Sequence, residues 1–317
     1  MGRPPKISII LLNWNGKKDT LECLASLQKV DYPNFQTIIV DNGSTDDSVA
    51  AIRSAYPSVP ILENRANLGF AGGNNTGIEW VLRHHAEWIL LLNNDTIVAP
   101  DFLKAFLKAA KEQPKAKILG AKILRYSHRN IIDHLGGFWN AQKAEFDSPD
   151  SGQTDHPYFN MIPVDYVCGA ALFMHRSVPE AIGLLEPKFF LFWEETDYCY
   201  RARRAGFEVW TAPEAKIWHK VSSSFVGGKP HTHYFWWRSR LLWIERNCTP
   251  EEKKALYRKI IVPELWKMAR HYLLKFLFTS NPVRREKLRR NRAGCAGAID
   301  YFRGRFGNCP KWLLKKY

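Results

Sequence analysis

Three short apolar runs, each closed by a cluster of amides and carboxylates, constrain this chain more than any other feature. Ile7–Leu12 leads into Asn13-Trp14-Asn15-Gly16, Gln36–Val40 into Asp41-Asn42-Gly43-Ser44, and Trp88–Leu92 into Asn93-Asn94-Asp95. A run of β-branched and leucine side chains with no polar face must be covered on both sides, as the strands of a parallel sheet are. The segments between the runs read as helices: Lys17–Lys29, with Leu21, Leu24, Ala25 and Gln28 along one stripe, and Phe70–Arg83 behind a glycine-rich loop. Ser44 or Thr45 is placed to cap a further helix, with Asp46 and Asp47 at its positive end. Ile61–Leu62 adds a short strand. Strands separated by helices predict βαβ units.

From about Ile118 the pattern becomes mixed. Strands are expected at Lys117–Leu124, Val164–His175 and Phe207–Thr211, and Gly136–Pro163 reads as a long loop or hairpin. Glu194–Ala205 is helical and stops at Gly206, His233–Arg246 is an aromatic helix or extended segment, and two or three basic amphipathic helices follow Pro250. With 45% hydrophobic and 24% charged residues over 317 positions, disorder is excluded and a real core is affordable. The net charge of +15 is concentrated: Glu251–Tyr317 holds 18 Lys and Arg against 5 Asp and Glu, so a nearly neutral body carries a basic tail. Six scattered cysteines form no C-x-x-C pair, which disfavours a zinc ribbon and fits a reducing compartment. Ile7–Leu12 is too short for a signal-peptide core, and no stretch reaches the ~18 apolar residues of a membrane span, so a soluble, cytoplasmic chain is expected.

Ligands of parallel sheets sit beyond the carboxyl ends of the strands, where the three polar clusters stand. An Asp there can accept hydrogen bonds from a nucleobase or ribose, and one at another strand end can hold a divalent cation through oxygen. Any one such cluster is more often a plain turn, but three recur. Asn64–Asn74 lacks the Gly-Lys-Ser/Thr of a P-loop; its glycines permit close backbone approach, its helix start can attract an anion, and Arg65 could meet a phosphate. Glu194, Glu195 and Asp197 open a helix that ends in Arg201, Arg203 and Arg204, a charge order that suits the helix dipole by itself. The aromatic run Phe189–Trp193 in front of them lowers local polarity, which raises a carboxylate pKa towards general-base use. His219 is a lone histidine after Lys216-Ile217-Trp218.

The series ILLNWNG, VDNGSTDDS, NLGFAGGNNTG, LLNNDT, VCGAALFMHR, FFLFWEETDYCYRARRAGF and WHK resembles the family 2 inverting glycosyltransferases, in particular the bacterial rhamnosyltransferase-like branch. The likeness covers about Lys6 to Arg246. It implies an α/β GT-A fold: a mixed sheet flanked by helices, with a nucleotide-binding half over about 1–116 and an acceptor-binding half over about 117–249; the basic helical extension over 250–317, read from its charge pattern, lies beyond the likeness. It implies that Asp41 contacts the nucleobase, that Asn13 and Asn15 line the same pocket, and that Arg65 and Asn67 lie near the diphosphate or sugar. Asn93 and Asn94 stand in a D-x-D pattern whose last acid, Asp95, faces a divalent metal, Mg²⁺ or Mn²⁺; Asn93 replaces the first acid. His219 matches a histidine that joins the metal in some members. Glu195 aligns with the catalytic base, with Glu194 as the alternative, and Asp197 and Arg201 as supporting groups. Gly169 and Ala170 match a turn beside sugar and acceptor, and Arg238 a position near the diphosphate.

The implied activity is single-displacement transfer of a sugar from a nucleotide-diphosphate donor, dTDP-rhamnose or a UDP-sugar, to a glycan or lipid-linked acceptor in cell-surface polysaccharide synthesis. The alternatives are a non-catalytic nucleotide-sugar or membrane-binding scaffold and a sugar nucleotidyltransferase. In the tail, Trp266, Leu273, Leu274, Phe276, Leu277 and Phe278 alternate with Lys267, Arg270 and Lys275, and Arg284, Arg285, Lys287, Arg289, Arg290 and Arg292 follow. Aromatics interleaved with cations suit an anionic membrane surface rather than nucleic acid, and place the enzyme at the inner face of the cytoplasmic membrane.

Overall fold

The computed structural model describes residues 3–220, 229–275 and 282–314. The first part alternates strand and helix: β1 (Ile7–Asn13), α1 (Lys17–Leu27), β2 (Phe35–Asp41), α2 (Ser48–Ala55), β3 (Ile61–Glu63), α3 (Gly69–Arg83) and β4 (Trp88–Asn93). Then come β5 (Thr96–Val98), α4 (Phe102–Glu112), β6 (Ala116–Arg125), β7 (Ile132–His134), the hairpin β8 (Phe138–Asn140) and β9 (Glu145–Asp147), β10 (Ala171–His175) and α5 (Ser177–Ile182). The last part holds α6 (Glu194–Arg204), β11 (Glu208–His219), α7 (Pro230–Asn247), α8 (Pro250–Leu256), α9 (Val262–Lys275) and α10 (Pro282–Phe302).

The main sheet runs β3-β2-β1-β4-β10-β6-β11-β5, with β7 paired to β6. β1 to β4 are mutually parallel, whereas β10 runs antiparallel to both β4 and β6 and so joins the two halves into one mixed sheet. The apolar runs are buried on both faces, as expected. Ile7, Ile9, Leu11, Leu90 and Leu92 pack with α1 and α4 on one side. Ile10, Ile38, Val40, Ile89 and Leu91 pack with α3 and α6 on the other. Each such side chain contributes about 1.5–3 kcal/mol by leaving water.

Several local expectations change. On α1 the buried stripe is Thr20, Cys23, Leu24 and Leu27, with Ala25 and Gln28 exposed, because the Thr20 hydroxyl has a buried partner, Asn13 Oδ1, at 2.8 Å. Ser44 and Thr45 do not cap α2, which starts at Ser48: Ser44 Oγ accepts from the Asn15 N–H at 2.8 Å, and the Thr45 N–H donates to Asn15 Oδ1 at 2.7 Å. The strand expected over Val164–His175 is confined to Ala171–His175, because the chain turns at Cys168–Ala170. The strand expected over Phe207–Thr211 instead continues to His219, with a register shift between Ala212 and Lys216 around Pro213. The aromatic segment is helical, as α7.

The glycines of α3 serve packing. A Cβ at Gly77 would lie 2.6 Å from Ile10 Cγ2, and one at Gly73 would run into Leu12, so the helix lies directly on β1. The first N–H groups of that helix are already taken: Leu68 donates to Asn42 Oδ1 (3.1 Å), Gly69 to Asn67 Oδ1 (2.8 Å) and Phe70 to the Phe190 carbonyl (2.6 Å). The expected anion seat at this helix start is therefore filled by the chain itself.

The segment after Pro250 shares an apolar cluster with the body: Leu256, Ile261 and Ala298 pack with Trp193, Trp237 and Leu241. α10 lies close along α7, so close that a Cβ at Gly297 would strike the Tyr234 carbonyl. Trp266 remains 63% exposed, with the Arg270 guanidinium 5.4 Å from its ring. Of the tail residues singled out above, Phe276, Leu277 and Phe278 lie outside the described residues, as do the side chains of Leu273, Leu274 and Lys275. Among the described residues no helix is long and apolar enough to cross a membrane.

Candidate active site

A cavity of about 620 Å³ opens where β4, β10 and β11 meet α6 and α7. Asn93 at the end of β4, the Gly169-Ala170 turn before β10, His219 at the end of β11, and Glu194 and Glu195 at the start of α6 all line it. These residues were picked out from distant motifs, and the fold brings them to one place. Its size is that of an ordinary ligand site.

α6 is entered through an unusual backbone. Phe190, Phe192 and Trp193 have φ of 60°, 66° and 70°, left-handed values that cost a bulky residue about 1 kcal/mol or more each. They are held by packing and by Ser239, whose hydroxyl reaches the carbonyls of Phe189 (3.1 Å) and Leu191 (2.9 Å). The sharp turn delivers two consecutive carboxylates into a poorly hydrated place. Glu194 Oε2 and Glu195 Oε2 are buried and have no hydrogen-bond partner among the described residues. Burial raises both pKa values; for Glu194 the charge of Glu195 adds to it, and its pKa is pushed well above the ordinary range. The Glu195 carboxylate accepts from the backbone N–H groups of Glu195, Thr196 and Gly169, which favour its charged form, whereas Glu194 is supported only by its own N–H. The backbone N–H groups thus favour negative charge at Glu195 more than at Glu194.

His219 sits between two acids. Its Nε2 lies 3.1 Å from Asp95 Oδ1 and 3.4 Å from Asn93 Nδ2, and its Nδ1 lies 3.9 Å from Asp133 Oδ2. Burial disfavours the charged ring, but hydrogen bonding and charge from Asp133 and Asp95 outweigh it and push the imidazole up to about 9. In turn His219 holds the Asp133 carboxyl below its usual range, against burial. His134, on the same wall, is pushed down to about 4 by burial and pairs with the Tyr166 hydroxyl at 2.8 Å. No group of three His, Cys, Asp or Glu side chains is arranged to hold a metal by itself among the described residues.

The remaining strand-end residues form a second cluster in which polar atoms satisfy one another. Asn13 Nδ2 donates to Asp41 Oδ1 (2.8 Å) and Ser44 Oγ (3.1 Å), and Asp41 Oδ2 accepts from the Ser44 N–H (2.9 Å). Asn94 Nδ2 donates to Thr20 Oγ1 (2.8 Å), and Asn15 Oδ1 accepts from the Thr45 N–H. Asn42, fully buried, bridges to Asn67 and Asn64. Arg65 is exposed beside this cluster.

Asp197 and Arg201 lie behind the cavity. Asp197 is completely buried and accepts from Arg201 Nε (2.9 Å), Arg246 Nε (2.9 Å) and Asn247 Nδ2 (3.0 Å), which ties α6 to α7. Arg238 is not brought to the cavity. Its guanidinium is buried against Tyr234, Phe235 and Phe306 and donates to the Gly307 carbonyl at 2.6 Å, so it fastens the extension to α7. Buried arginine needs such partners, and an aromatic helix supplies them.

Sequence reasoning missed Asp133, Arg246 and the lining of Trp236 and Trp237. Asp133 reaches His219 only because β7 pairs with β6, a contact no local pattern encodes. The doubled tryptophan was visible, but its side of the helix was not.

Comparison with known proteins agrees with this geometry. The family model for glycosyl transferase family 2 matches residues 8–178. An N-acetylglucosaminyl-diphospho-decaprenol L-rhamnosyltransferase of Mycobacterium tuberculosis is 26% identical over 261 residues, covering 70% of this chain and 83% of that protein. A dTDP-rhamnosyl transferase, RfbF, of Shigella flexneri is 22% identical over 255 residues, covering 77% of this chain and 81% of that protein. Among solved structures, a mannosyltransferase of Pyrobaculum calidifontis in complex with GDP-Man and Mn²⁺ superposes with a TM-score of 0.58 at 16% identity, over 95% of this chain and 88% of its own. TarS of S. aureus in complex with UDP-GlcNAc superposes with a TM-score of 0.57 at 14% identity, over 94% and 92%. The matched family, the mixed sheet and the cavity at its strand ends agree: this chain is a rhamnosyltransferase-like member of glycosyltransferase family 2, with the GT-A fold.

Proposed function

We propose that the protein transfers a hexosyl group from a nucleotide-diphosphate donor to a hydroxyl of a glycan or lipid-linked saccharide, with inversion, in the synthesis of a cell-surface polysaccharide. The observation that carries this reading is the buried Glu195 carboxylate, unpartnered at Oε2, in the same cavity as Asn93 and His219. Glu195 accepts the proton of the acceptor hydroxyl as its oxygen attacks the anomeric carbon. The diphosphate leaves from the opposite face and needs no proton, so a single base is enough. Glu194, whose carboxyl is raised further by its neighbour's charge, leaves Glu195 the favoured place for negative charge. The rhamnosyltransferase relatives favour dTDP-rhamnose over a UDP-sugar as donor.

Asp95 and His219, a carboxylate oxygen and an imidazole nitrogen 3.1 Å apart, would hold a Mg²⁺ or Mn²⁺ ion beside the nucleotide diphosphate. Two fold neighbours hold Mn²⁺. The proton that Asp95 and Asp133 keep on His219 is what such an ion would replace. When bound, it neutralises charge that builds on the leaving diphosphate. Asp41, Asn13, Asn15 and Asn94 shape the nucleotide side as a fixed framework, with Asn67 and the exposed Arg65 at its rim.

The test is incubation with dTDP-rhamnose and common UDP-sugars with and without Mn²⁺. Release of nucleoside diphosphate supports the transferase. Release of monophosphate or pyrophosphate points to nucleotidyl chemistry, and binding without turnover to a scaffold.

We further infer that the basic region 250–317 rests on the anionic inner face of the cytoplasmic membrane, with Trp266 at the lipid. Because α10 packs on α7, charge reversal tests this better than deletion. Lys254→Glu, Lys259→Glu and Lys267→Glu combined are expected to abolish co-sedimentation with phosphatidylglycerol vesicles. Unchanged sedimentation would sink the idea.

A further inference from the structure

We propose that Trp236 is the platform on which the pyranose ring of the acceptor lies while Glu195 takes its proton. The proposal rests on the transferase reading above and adds the contact that selects the acceptor. Trp236 and Trp237 sit side by side on α7 and both border the cavity that holds Glu194 and Glu195. Trp237 is buried at 5% exposure and belongs to the core, whereas Trp236 is half-buried and keeps part of its indole open.

That indole is held still. Trp193 meets it edge-on at 6.0 Å and 67°, and Trp237 at 5.6 Å and 79°. The Arg240 guanidinium lies over the ring, 4.8 Å from its centroid. Arg240 is itself fully buried and pinned by Glu264 (2.6 Å) and the carbonyls of Ala144 (2.9 Å) and Lys143 (2.7 Å). A ring braced in this way loses little entropy when a ligand arrives.

The chemistry around it points to a sugar. A pyranose carries axial C–H bonds on one face and hydroxyls at its edge. The C–H face suits the electron-rich face of an indole. The edge hydroxyls suit the two buried carboxyl groups whose Oε2 atoms have no partner among the described residues. A hydrocarbon chain in the same place would leave both carboxyl groups desolvated and unsatisfied. Asn93 and His219, on the sheet side of the cavity, take the donor end, so the wall on α7 is left to the acceptor.

The test uses octyl glucoside and octyl N-acetylglucosaminide below their micelle concentrations, with the protein saturated in nucleoside diphosphate, read by saturation-transfer NMR. In the original protein, saturation is expected on the ring C–H protons. Trp236→Ala is expected to weaken glycoside binding about tenfold, and Trp236→Phe to retain most of it. Saturation confined to the octyl chain, or a Trp236→Ala variant that binds as well as the original, overturns the platform. If Trp236→Ala does not fold, the proton map of the original protein and the Trp236→Phe variant still decide. Calorimetry with the nucleoside diphosphates separates the two failures. Nucleotide binding without glycoside binding sinks only the platform, and absence of nucleotide binding sinks the transferase reading with it.

Discussion

Two neighbouring clusters, one at the strand ends and one in the cavity, treat polar groups in opposite ways. At the ends of β1, β2 and β4, Asn13, Thr20, Asp41, Ser44 and Asn94 close a network in which nearly every buried donor meets an acceptor. In the cavity, two carboxylates stand at a helix start with an oxygen each unpartnered among the described residues, behind a strained aromatic turn. Satisfied polar groups rigidify a site, and unsatisfied ones are held at a free-energy cost that only a reaction or a ligand recovers. The contrast teaches where to look for chemistry: at the groups the fold leaves incomplete.

The contrast is sharpest at Glu195. Glu195→Gln is expected to lower transfer by about 10²–10⁴-fold, the usual worth of a general base, while nucleoside diphosphate binding by calorimetry is unchanged. Near-normal turnover in that variant would falsify the assignment and move the role to Glu194. Next in size is Asp197→Ala, which removes the buried acceptor shared by Arg201, Arg246 and Asn247. It is expected to cost about 3–5 kcal/mol in urea unfolding, because it breaks a buried pair from one side. A milder loss would mean that the network behind the catalytic helix is less coupled than its distances suggest.

In the strand-end cluster, Asn13→Ala removes one side chain from four partners. An expected loss of about 2–3 kcal/mol in thermal or urea unfolding, against little or no loss for Glu195→Gln, would confirm that one side is framework and the other is reactive. Equal losses would erase the distinction. The smallest effect is in pH. A protonated Glu195 cannot accept the acceptor's proton, so kcat/KM is expected to fall on the acid side with a midpoint above the ordinary glutamate range. Glu194 has its folded pKa raised, so its contribution to stability is present at low pH and is lost as pH rises through the folded value. Glu194→Gln is therefore expected to flatten the decline in melting temperature as pH rises above the ordinary glutamate range.

Much of this was legible before any coordinates. Apolar runs with no polar face specify buried strands, and so Ile7–Leu12, Gln36–Val40 and Trp88–Leu92 were placed within a residue of β1, β2 and β4. Glu194, Glu195, Asn93 and His219 could be named because each follows a recognisable motif, although no spacing shows that they converge. What stayed hidden depends on partners far away in the chain. Asp133 looks like any loop acid until β7 pairs with β6. Arg238 carries the charge expected of a phosphate ligand, but the Tyr234–Gly307 surroundings consume it. The glycines of α3 read equally well as a phosphate cradle or as a packing face, and only the nearness of Ile10 and Leu12 decides.

The turn over Phe189–Trp193 has one more consequence. Its Phe190 carbonyl receives the N–H of Phe70 at the head of α3, its flanking carbonyls are clamped by α7, and its last residue begins the catalytic helix. Three helices thus share one knot of backbone. Glu195 is spaced from the head of α3 as by a machinist's gauge block, so on the proposed reading a ligand lying between them adjusts to that gap rather than the protein to the ligand.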